Sequence, residues 1–343
     1  MLGSGRSRKG EQGATDCSMM QSSSQAHACI VLGMHRSGTS ALAHLLSCLG
    51  ATLPLRLSPP GPDNPEGYFE PAMLVVLHER LLSAAGSVWF DVKPFSLAAV
   101  PRDVAAGLIG EMVEAMAEDF PEAVLPVIKD PRMCRFFPLF RQVLGLAGRE
   151  SCVVLALRHP AEVAASLATR NRMSASYAGL LWARHVIAAE QDSRDVPRIT
   201  VRYEDVLADW RGTAKRIRTL PGAWHAEDPE DAPVKPSLRH HQALQSTDVF
   251  GAGFGGLLDR LHAALSGLAD TDDDAGRANV DAAAAEVLSC AARMSLSTEI
   301  EFLSRRLTTA HPAWASDDPQ RDEQAMAELF EQLNRSLYQG SRR

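Results

Sequence analysis

The sequence predicts an α/β fold, in which a parallel sheet is flanked by helices and followed by a helical C-terminal extension. Two observations predict it. Short apolar runs, typical of strands buried on both faces, alternate along the chain with segments of helical periodicity. From about residue 246 the chain becomes rich in alanine and leucine with helical spacing alone. Alternating strands and helices favour a parallel sheet, because a helix usually forms the crossover between parallel strands.

Four segments are predicted as strands from their apolar character. Residues 28–32 and 152–157 are unbroken apolar runs, residues 198–203 alternate, and residues 124–128 contain Pro126. Proline cannot donate a hydrogen bond to a neighbouring strand, so it weakens the prediction for its segment. Helical spacing of apolar residues predicts helices over residues 39–50, 71–85, 101–118, 160–170, 174–192, 205–220 and 319–338.

The chain divides into three parts by composition. Residues 1–25 are polar and rich in serine and glycine, which predicts a disordered tail. The α/β domain is expected over residues 26–245 and the helical extension over residues 246–343, where the acidic run 270–274 interrupts the helical pattern.

The last predicted helix carries an apolar stripe that includes Met326, Leu329, Phe330, Leu333 and Leu337. Such a stripe fits a helix packed on its own domain. It also fits association of two copies of the chain, so a homo-oligomer formed through the C-terminal helices stays open.

The overall composition restricts the class of protein. The formal net charge of −7 argues against nonspecific binding to nucleic acid, which needs a basic surface. Six cysteines form no CxxC pair and no zinc-type spacing, so we expect no metal site and a reducing, cytoplasmic environment. No apolar stretch reaches the roughly 20 residues that a membrane span requires, so no membrane span is expected.

The segment GMHRSGTS, residues 33–40, follows the first apolar strand and opens a helix. Helix N-termini favour anions because their backbone N–H groups are unpaired and the helix dipole is positive there. Gly33 and Gly38 permit a tight turn. A cation and three hydroxyls are further donors to an anion: Arg36, Ser37, Thr39 and Ser40. The alternative is a turn that only caps the helix.

Arg158 directly follows the strand at 152–157, and Ser166 lies inside the next predicted helix. Ligands of open α/β sheets bind at the carboxyl ends of strands, and the planar guanidinium of arginine suits phosphate oxygens. The alternative for Arg158 is an ion pair with Glu162, one helical turn further along.

These two segments resemble sulfotransferases that use 3′-phosphoadenosine-5′-phosphosulfate (PAPS). HRSGTS at 35–40 is similar to the family's 5′-phosphosulfate loop, and R-x-P followed by a serine is similar to its 3′-phosphate motif. The resemblance spans about residues 28–239 and implies a P-loop-NTPase-like fold. It implies that Arg36 contacts the phosphosulfate, and that Arg158 and Ser166 bind the 3′-phosphate.

Three further segments resemble the same family. The segment RYED, residues 202–205, is similar to a segment near the adenosine, which places Tyr203 at the base or in the core. The segment KDPR, residues 129–132, is similar to a segment beside the active site. There Lys129 or Arg132 would stabilise the sulfuryl oxygens or orient the acceptor, unless Lys129 only pairs with a neighbouring aspartate. Residues 235–241, KPSLRHH, match a late basic loop loosely.

Sulfuryl transfer to a hydroxyl or amine needs a general base. The segment DNPEGYFE, residues 63–70, resembles one that follows the phosphate loop in bacterial members, and related branches use a glutamate of this region as base. Glu70 is therefore the first candidate and Glu66 the second. The alternative for Glu70 is to stabilise the start of the next helix. His35, His78 and Asp91 are further candidates whose positions are more typical of structural residues.

The sequence thus predicts a transferase that uses PAPS as co-substrate, without a metal, for sulfation of a saccharide, lipid or small-molecule acceptor. One alternative is a P-loop nucleotide kinase or NTPase. Thr39 argues against it, because a lysine occupies that position in the pattern GxxxxGK[ST]. The other alternative is a noncatalytic nucleotide-binding module.

Overall fold

Four parallel strands form the central sheet in the spatial order β2-β1-β3-β4. They are β1 His27–Leu32, β2 Val127–Lys129, β3 Glu150–Leu157 and β4 Arg198–Arg202. The computed structural model describes residues 26–61, 64–230, 233–234, 246–251 and 253–310. The predicted parallel sheet is confirmed.

The second strand is shorter and lies later in the chain than predicted. The expected segment was 124–128, whereas β2 comprises Val127–Lys129. Pro126 precedes the strand, and its carbonyl oxygen accepts a hydrogen bond from the Cys29 N–H at 2.8 Å. Because proline lacks an N–H group, it contributes an acceptor only, and the regular ladder starts one residue later.

Helices occupy most of the remaining described chain. They are α1 Thr39–Cys48, α2 Ala72–Ala84, α3 Arg102–Asp119, α4 Phe137–Leu146, α5 Pro160–Asn171, α6 Ala175–Asp192, α7 Tyr203–Ala208, α8 Trp210–Ile217, α9 Phe254–Gly267, α10 Asp274–Arg293 and α11 Ser295–Ala310. The helix predicted over 205–220 is divided, because Asp209 caps α8 by accepting a hydrogen bond from the Gly212 N–H at 2.9 Å. α4 was not predicted, although its buried Phe137, Phe140 and Leu144 recur with helical spacing.

Both faces of the sheet are covered by helices. Side chains of β1 alternate between two apolar clusters, with Ile30 and Leu32 on one face and Cys29 and Val31 on the other. The first face packs against α2, α3 and α4, and the second against α1, α7 and α8. This alternation is what the unbroken apolar run at 28–32 predicts for a strand buried on both sides.

The C-terminal helices α9 and α10 pack against α6. Leu258, Leu261 and Val280 share an apolar cluster with Leu181 and Trp182 of α6. The predicted helical character of this part of the chain is confirmed through α11. Within the acidic run 270–274, the Asp273 Oδ1 caps α10 by accepting from the Gly276 N–H at 2.7 Å.

Three predicted segments lie outside the described residues: the tail at 1–25, the basic loop at 235–241 and the striped helix at 319–338. Within the described chain, none of the helices has the length and apolar character needed to cross a lipid bilayer.

The strand order brings two loops together. β1 pairs directly with β3, with Leu32 opposite Leu155, so the segments that follow both strands leave the same edge of the sheet. The chain continues from β1 toward one side of the sheet and from β3 toward the other, which opens a crevice between these loops.

Candidate functional site

The loop between β1 and α1 is held close to the sheet. Its Gly33 N–H donates to the Cys134 Sγ at 3.1 Å, and a Cβ atom at Gly33 would approach the Ala156 carbonyl oxygen to 2.7 Å. Arg36 adopts a left-handed φ of 69°. That conformation costs a non-glycine residue about 1–2 kcal/mol and is retained mainly where a site requires it.

Arg36 and Arg158 meet in the folded protein. The Arg158 Nη1 donates to the Arg36 carbonyl oxygen at 3.0 Å, and the Arg36 Nε donates to the Ser166 Oγ at 2.7 Å. The Arg158 Nε also pairs with the Glu162 Oε2 at 2.8 Å, so the alternative ion pair exists inside the same site. The Arg158 Nη2 is buried and has no hydrogen-bond partner among the described residues. The two predicted anion-binding segments therefore form one site rather than two distant ones.

Tyr203, which directly follows β4, closes this site. It is the first residue of α7, is 5% exposed, and its ring lies against the loop at Gly38. The Arg158 guanidinium carbon lies 4.8 Å from the Tyr203 ring centroid, a distance typical of cation–π contact. The Trp182 Nε1 donates to the Arg158 carbonyl oxygen at 3.1 Å and so fixes its backbone from α6.

Glu70 and Lys129 form a buried ion pair beside the loop. The Lys129 Nζ lies 2.6 Å from the Glu70 Oε1 and 3.0 Å from the Tyr68 carbonyl oxygen. The two side chains are 3% and 10% exposed for Lys129 and Glu70. Phe69, between the two acceptors, has a left-handed φ of 55°, and this turn directs both acceptors at one ammonium group.

The segment 64–70 is also tied to the start of α1. The Asn64 Nδ2 donates to the Ser40 Oγ at 3.2 Å, and the Ser40 Oγ donates to the Tyr68 carbonyl oxygen at 3.2 Å. The imidazole of His44, on α1, stacks on Phe69 with 5.3 Å between ring centroids. These contacts fix Glu70 relative to the loop between β1 and α1.

A second group of buried charges follows β2. The Asp130 Oδ1 accepts from the Arg132 N–H at 3.0 Å and from the Arg132 Nη1 at 2.9 Å. The Asp130 Oδ2 lies 2.7 Å from the His78 Nδ1. Burial would raise the pKa of the Asp130 carboxyl, but the Arg132 charge and the His78 hydrogen bond outweigh burial and hold it below its usual range.

Two adjoining cavities open at this edge of the sheet. The first has a volume of about 240 Å³, and the cations that line it are Arg36, Lys129, Arg158 and Arg170. Glu70 is the one carboxylate among its described lining residues. The first cavity therefore favours an anion, although the chain as a whole has a net charge of −7.

The second cavity has a volume of about 300 Å³ and adjoins the first, because the two share lining residues. It shares His35, Tyr68, Glu70 and Arg170 with the first cavity, and adds Ser58, Pro59, Trp89 and Arg132. Glu70 therefore lies where the two cavities adjoin.

His35 also lies where the cavities adjoin and is mostly buried. Its ring packs against Trp89 with 4.6 Å between centroids. Burial, together with the charges of Arg132 and Arg170, holds the pKa of His35 well below its usual range, so the imidazole is neutral at neutral pH.

The structure brings together most, but not all, of the predicted site residues. Gly38, Thr39 and Ser40 line the first cavity with Arg36, as does Tyr203. Ser166 reaches the site through its hydrogen bond with Arg36. Ser37 is 1% exposed and Glu66 is exposed, and neither lines either cavity.

Two other predicted residues lie in the interior. Asp91 accepts a hydrogen bond from the Ser87 Oγ at 2.8 Å and lies outside both cavities, as does His78, which contacts Asp130. Arg170 and Trp89 are cavity residues that sequence reasoning missed. Arg170 ends a predicted helix and Trp89 lies in a connecting segment, and no motif distinguishes either one.

Comparison with known proteins identifies a family. The sequence model of the sulfotransferase family matches residues 29–223, which is more than half of the chain. Among solved structures, the sulfotransferase domain from the olefin synthase of Synechococcus PCC 7002 is similar, at 18% identity and a TM-score of 0.35. That match covers 57% of this chain and 73% of the other. No curated protein matches the sequence. The family match covers more than half of the chain, including both predicted anion-binding segments and the loop that carries Glu70, so this chain belongs to the sulfotransferase family.

Proposed function

We propose that this protein transfers a sulfuryl group from PAPS to a hydroxyl or amine of an acceptor held in the second cavity. One observation carries the proposal: Arg36 and Arg158, from two different strand-to-helix turns, meet in a single cation-lined cavity. In PAPS the 3′-phosphate and the 5′-phosphosulfate are attached to the same ribose. Sites for these two groups must therefore adjoin, as these arginines do.

The lining residues fit the two anionic groups of such a nucleotide. Arg158 has a buried Nη2 with no partner among the described residues, and a 3′-phosphate oxygen would satisfy this donor. Ser166 would bind the same phosphate. Arg36 and the N-terminus of α1 would bind the 5′-phosphosulfate, and Tyr203 would contact the nucleoside.

The transfer itself joins the acceptor oxygen or nitrogen to sulfur and breaks the bond from sulfur to the bridging oxygen. That oxygen leaves with the electron pair as part of adenosine 3′,5′-bisphosphate. Arg36 and Lys129 line the cavity as cations and would stabilise the charge that develops there. Glu70 would accept the proton of the acceptor, because its carboxylate lies where both cavities adjoin.

Glu66 is a weaker candidate for the base. It is exposed and lines neither cavity, so a proton transfer through Glu66 would require the loop to rearrange. The acceptor would enter through the second cavity, whose Trp89 and Arg132 offer an aromatic face and a guanidinium. Saccharides, lipids and small natural products are the classes to test.

Isothermal titration tests the nucleotide assignment. We expect binding of adenosine 3′,5′-bisphosphate and little binding of ATP with magnesium, whereas a nucleotide kinase or NTPase would show the reverse preference. Arg36→Ala should abolish binding of the bisphosphate. Arg141→Ala is the matched control, because Arg141 pairs with Asp195 and lines neither cavity.

Turnover separates an enzyme from a noncatalytic nucleotide-binding module. The protein is incubated with PAPS and a panel of saccharide, lipid and small-molecule acceptors, and the mass gain of one sulfuryl group is measured. Glu70→Gln should bind the bisphosphate and fail to transfer. Bisphosphate binding without transfer to any acceptor would favour the noncatalytic module.

A further inference from the structure

His78 is a polar residue in an otherwise apolar row of α2. Its neighbours on the same face, Leu74, Leu77 and Leu81, are at most 1% exposed, and His78 is fully buried with them. The rings of Phe136 and Phe140 pack edge-on against its imidazole, with centroids 5.0 and 5.5 Å away. A leucine would fill this position without cost, whereas burying a polar imidazole is costly unless it is hydrogen-bonded.

The imidazole has one hydrogen-bond partner among the described residues. Its Nδ1 lies 2.7 Å from the Asp130 Oδ2, whereas its Nε2 is buried without a partner. Asp130 is fully buried as well, so His78 occupies one oxygen of this carboxylate and leaves the other for Arg132.

Arg132 is the residue through which this buried pair reaches the site. Both its backbone N–H and its Nη1 donate to the Asp130 Oδ1, and its Nε donates to the Glu79 Oε1 at 2.5 Å. Its Nη1 lies 3.9 Å from the Glu70 Oε2. Arg132 lines the second cavity and not the first, so it faces the proposed acceptor site rather than the nucleotide.

We propose that His78 is a positioning residue for sulfuryl transfer: it orients the buried Asp130 carboxylate, which in turn holds Arg132 in the second cavity beside Glu70. This inference rests on the proposed function. Glu79 is 39% exposed, so this partner is more mobile than the fully buried Asp130 and restrains Arg132 less. The buried carboxylate therefore sets the position of the guanidinium, and His78 sets the position of the carboxylate.

Two substitutions at position 78 separate positioning from packing. His78→Asn keeps a side-chain N–H donor close to the place of the Nδ1 but leaves a void, whereas His78→Leu fills the volume and removes the donor. The probe reaction is the release of 4-nitrophenol from 4-nitrophenyl sulfate in the presence of adenosine 3′,5′-bisphosphate. In this reverse transfer the sulfuryl group moves from the phenol oxygen to the 5′-phosphate.

We expect His78→Leu to lower kcat/KM for 4-nitrophenyl sulfate by roughly 10–100-fold, with the Kd of the bisphosphate within about twofold of wild type. His78→Asn should retain kcat/KM within about fivefold, even where thermal unfolding shows it to be the less stable variant. Leu81→Val, on the same face of α2 and without a link to Asp130, is the packing control and should leave kcat/KM per folded molecule unchanged.

Two outcomes would overturn the positioning role: wild-type kcat/KM in His78→Leu, or equal losses in His78→Asn and His78→Leu. Where His78→Leu fails to fold, Arg132→Gln tests the far end of the same link, because Arg132 is the residue that His78 and Asp130 are proposed to position. A loss of kcat/KM without a change in bisphosphate Kd supports the role, and wild-type kcat/KM refutes it. Absence of bisphosphate binding in the wild-type protein would instead remove the proposed function itself.

Discussion

Gly38 is a position where one added methyl group would disturb both segments that are proposed to bind anions. Its φ is 80°, and an added Cβ would lie 2.2 Å from the Cδ2 and 2.6 Å from the Cε2 of the Tyr203 ring. These separations are clearly shorter than the ~3.5–4.0 Å at which carbon atoms pack. Because Tyr203 is buried, contacts Arg158 and lines the first cavity, displacing its ring would disturb Arg158 and that cavity.

The free energy of unfolding should fall for two reasons in Gly38→Ala. The left-handed backbone costs alanine about 1–2 kcal/mol relative to glycine. Overpacking against a buried ring adds about 1–3 kcal/mol. Gly86→Ala isolates the first contribution, because Gly86 has a φ of 69° and a Cβ atom added there would meet nothing within 4 Å. Urea unfolding of the two variants should therefore differ by about 1–3 kcal/mol.

In Gly38→Ala, binding of adenosine 3′,5′-bisphosphate should weaken because the Tyr203 ring is displaced, not because the fold is less stable. We expect the Kd of adenosine 3′,5′-bisphosphate to rise by about 10–100-fold in Gly38→Ala, which corresponds to about 1.4–2.8 kcal/mol. Gly86→Ala should bind as wild type does. Removing the ring in Tyr203→Ala should make the further change Gly38→Ala nearly harmless to binding. Equal Kd values for Gly38→Ala and wild type by isothermal titration would refute the packing argument.

Three further predictions concern recognition, catalysis and pH. Arg158→Ala should raise the Kd of adenosine 3′,5′-bisphosphate by about 100-fold, because a charged hydrogen-bonding group for the 3′-phosphate is lost. The Kd of 5′-AMP, which has no 3′-phosphate, should rise far less. Equal increases in Kd for both ligands by isothermal titration would contradict this role. Glu70→Gln should lower kcat by about 10²–10⁴-fold in the mass-gain assay, and wild-type turnover would exclude Glu70 as the base. Burial, with a smaller contribution from Arg135, lowers the pKa of His185 from 6.5 to about 3, so the unfolded chain binds a proton that the folded chain excludes. The free energy of unfolding should therefore fall as the pH drops from 6.5 toward 3, by up to about 1.4 kcal/mol per pH unit. Urea unfolding at several pH values should show a smaller pH dependence for His185→Leu. An unchanged pH dependence would show that His185 titrates normally.

The sequence predicted correctly those elements that a single local pattern defines, such as an apolar run or a pair of glycines. The apolar runs in β1 and β3 and the glycine-bracketed loop at 33–38 are recognisable without neighbours, and the structure confirms them. The predicted limits of β2 and the single helix at 205–220 were wrong, and α4 was not predicted. For β2 a proline, and for the divided helix an aspartate, changes the local hydrogen bonding in a way that apolar periodicity does not record.

The residues of the candidate site also fall into two groups, those that a local motif predicts and those that it does not. Arg36 and Arg158 lie in segments whose residue types favour anion binding, and Glu70 follows from the resemblance of its segment to the family. Arg170 and Trp89 carry no such pattern, and they reach the cavities only because of how α5 and the segment before α3 pack. Their roles depend on the directions of whole elements, which no short window of sequence contains.

The amino-acid sequence by itself determined which segments could bind an anion, since backbone N–H groups at a helix start and nearby arginines are local properties. Only the tertiary structure decided that these segments form one site. The pairing of β1 with β3 brings Arg36 and Arg158 within 3.0 Å, and the turn at Phe69 brings Glu70 within 2.6 Å of Lys129. The physical reason is that sheet order and side-chain packing are set by the burial of apolar surface across the whole domain, not by residues adjacent in the chain.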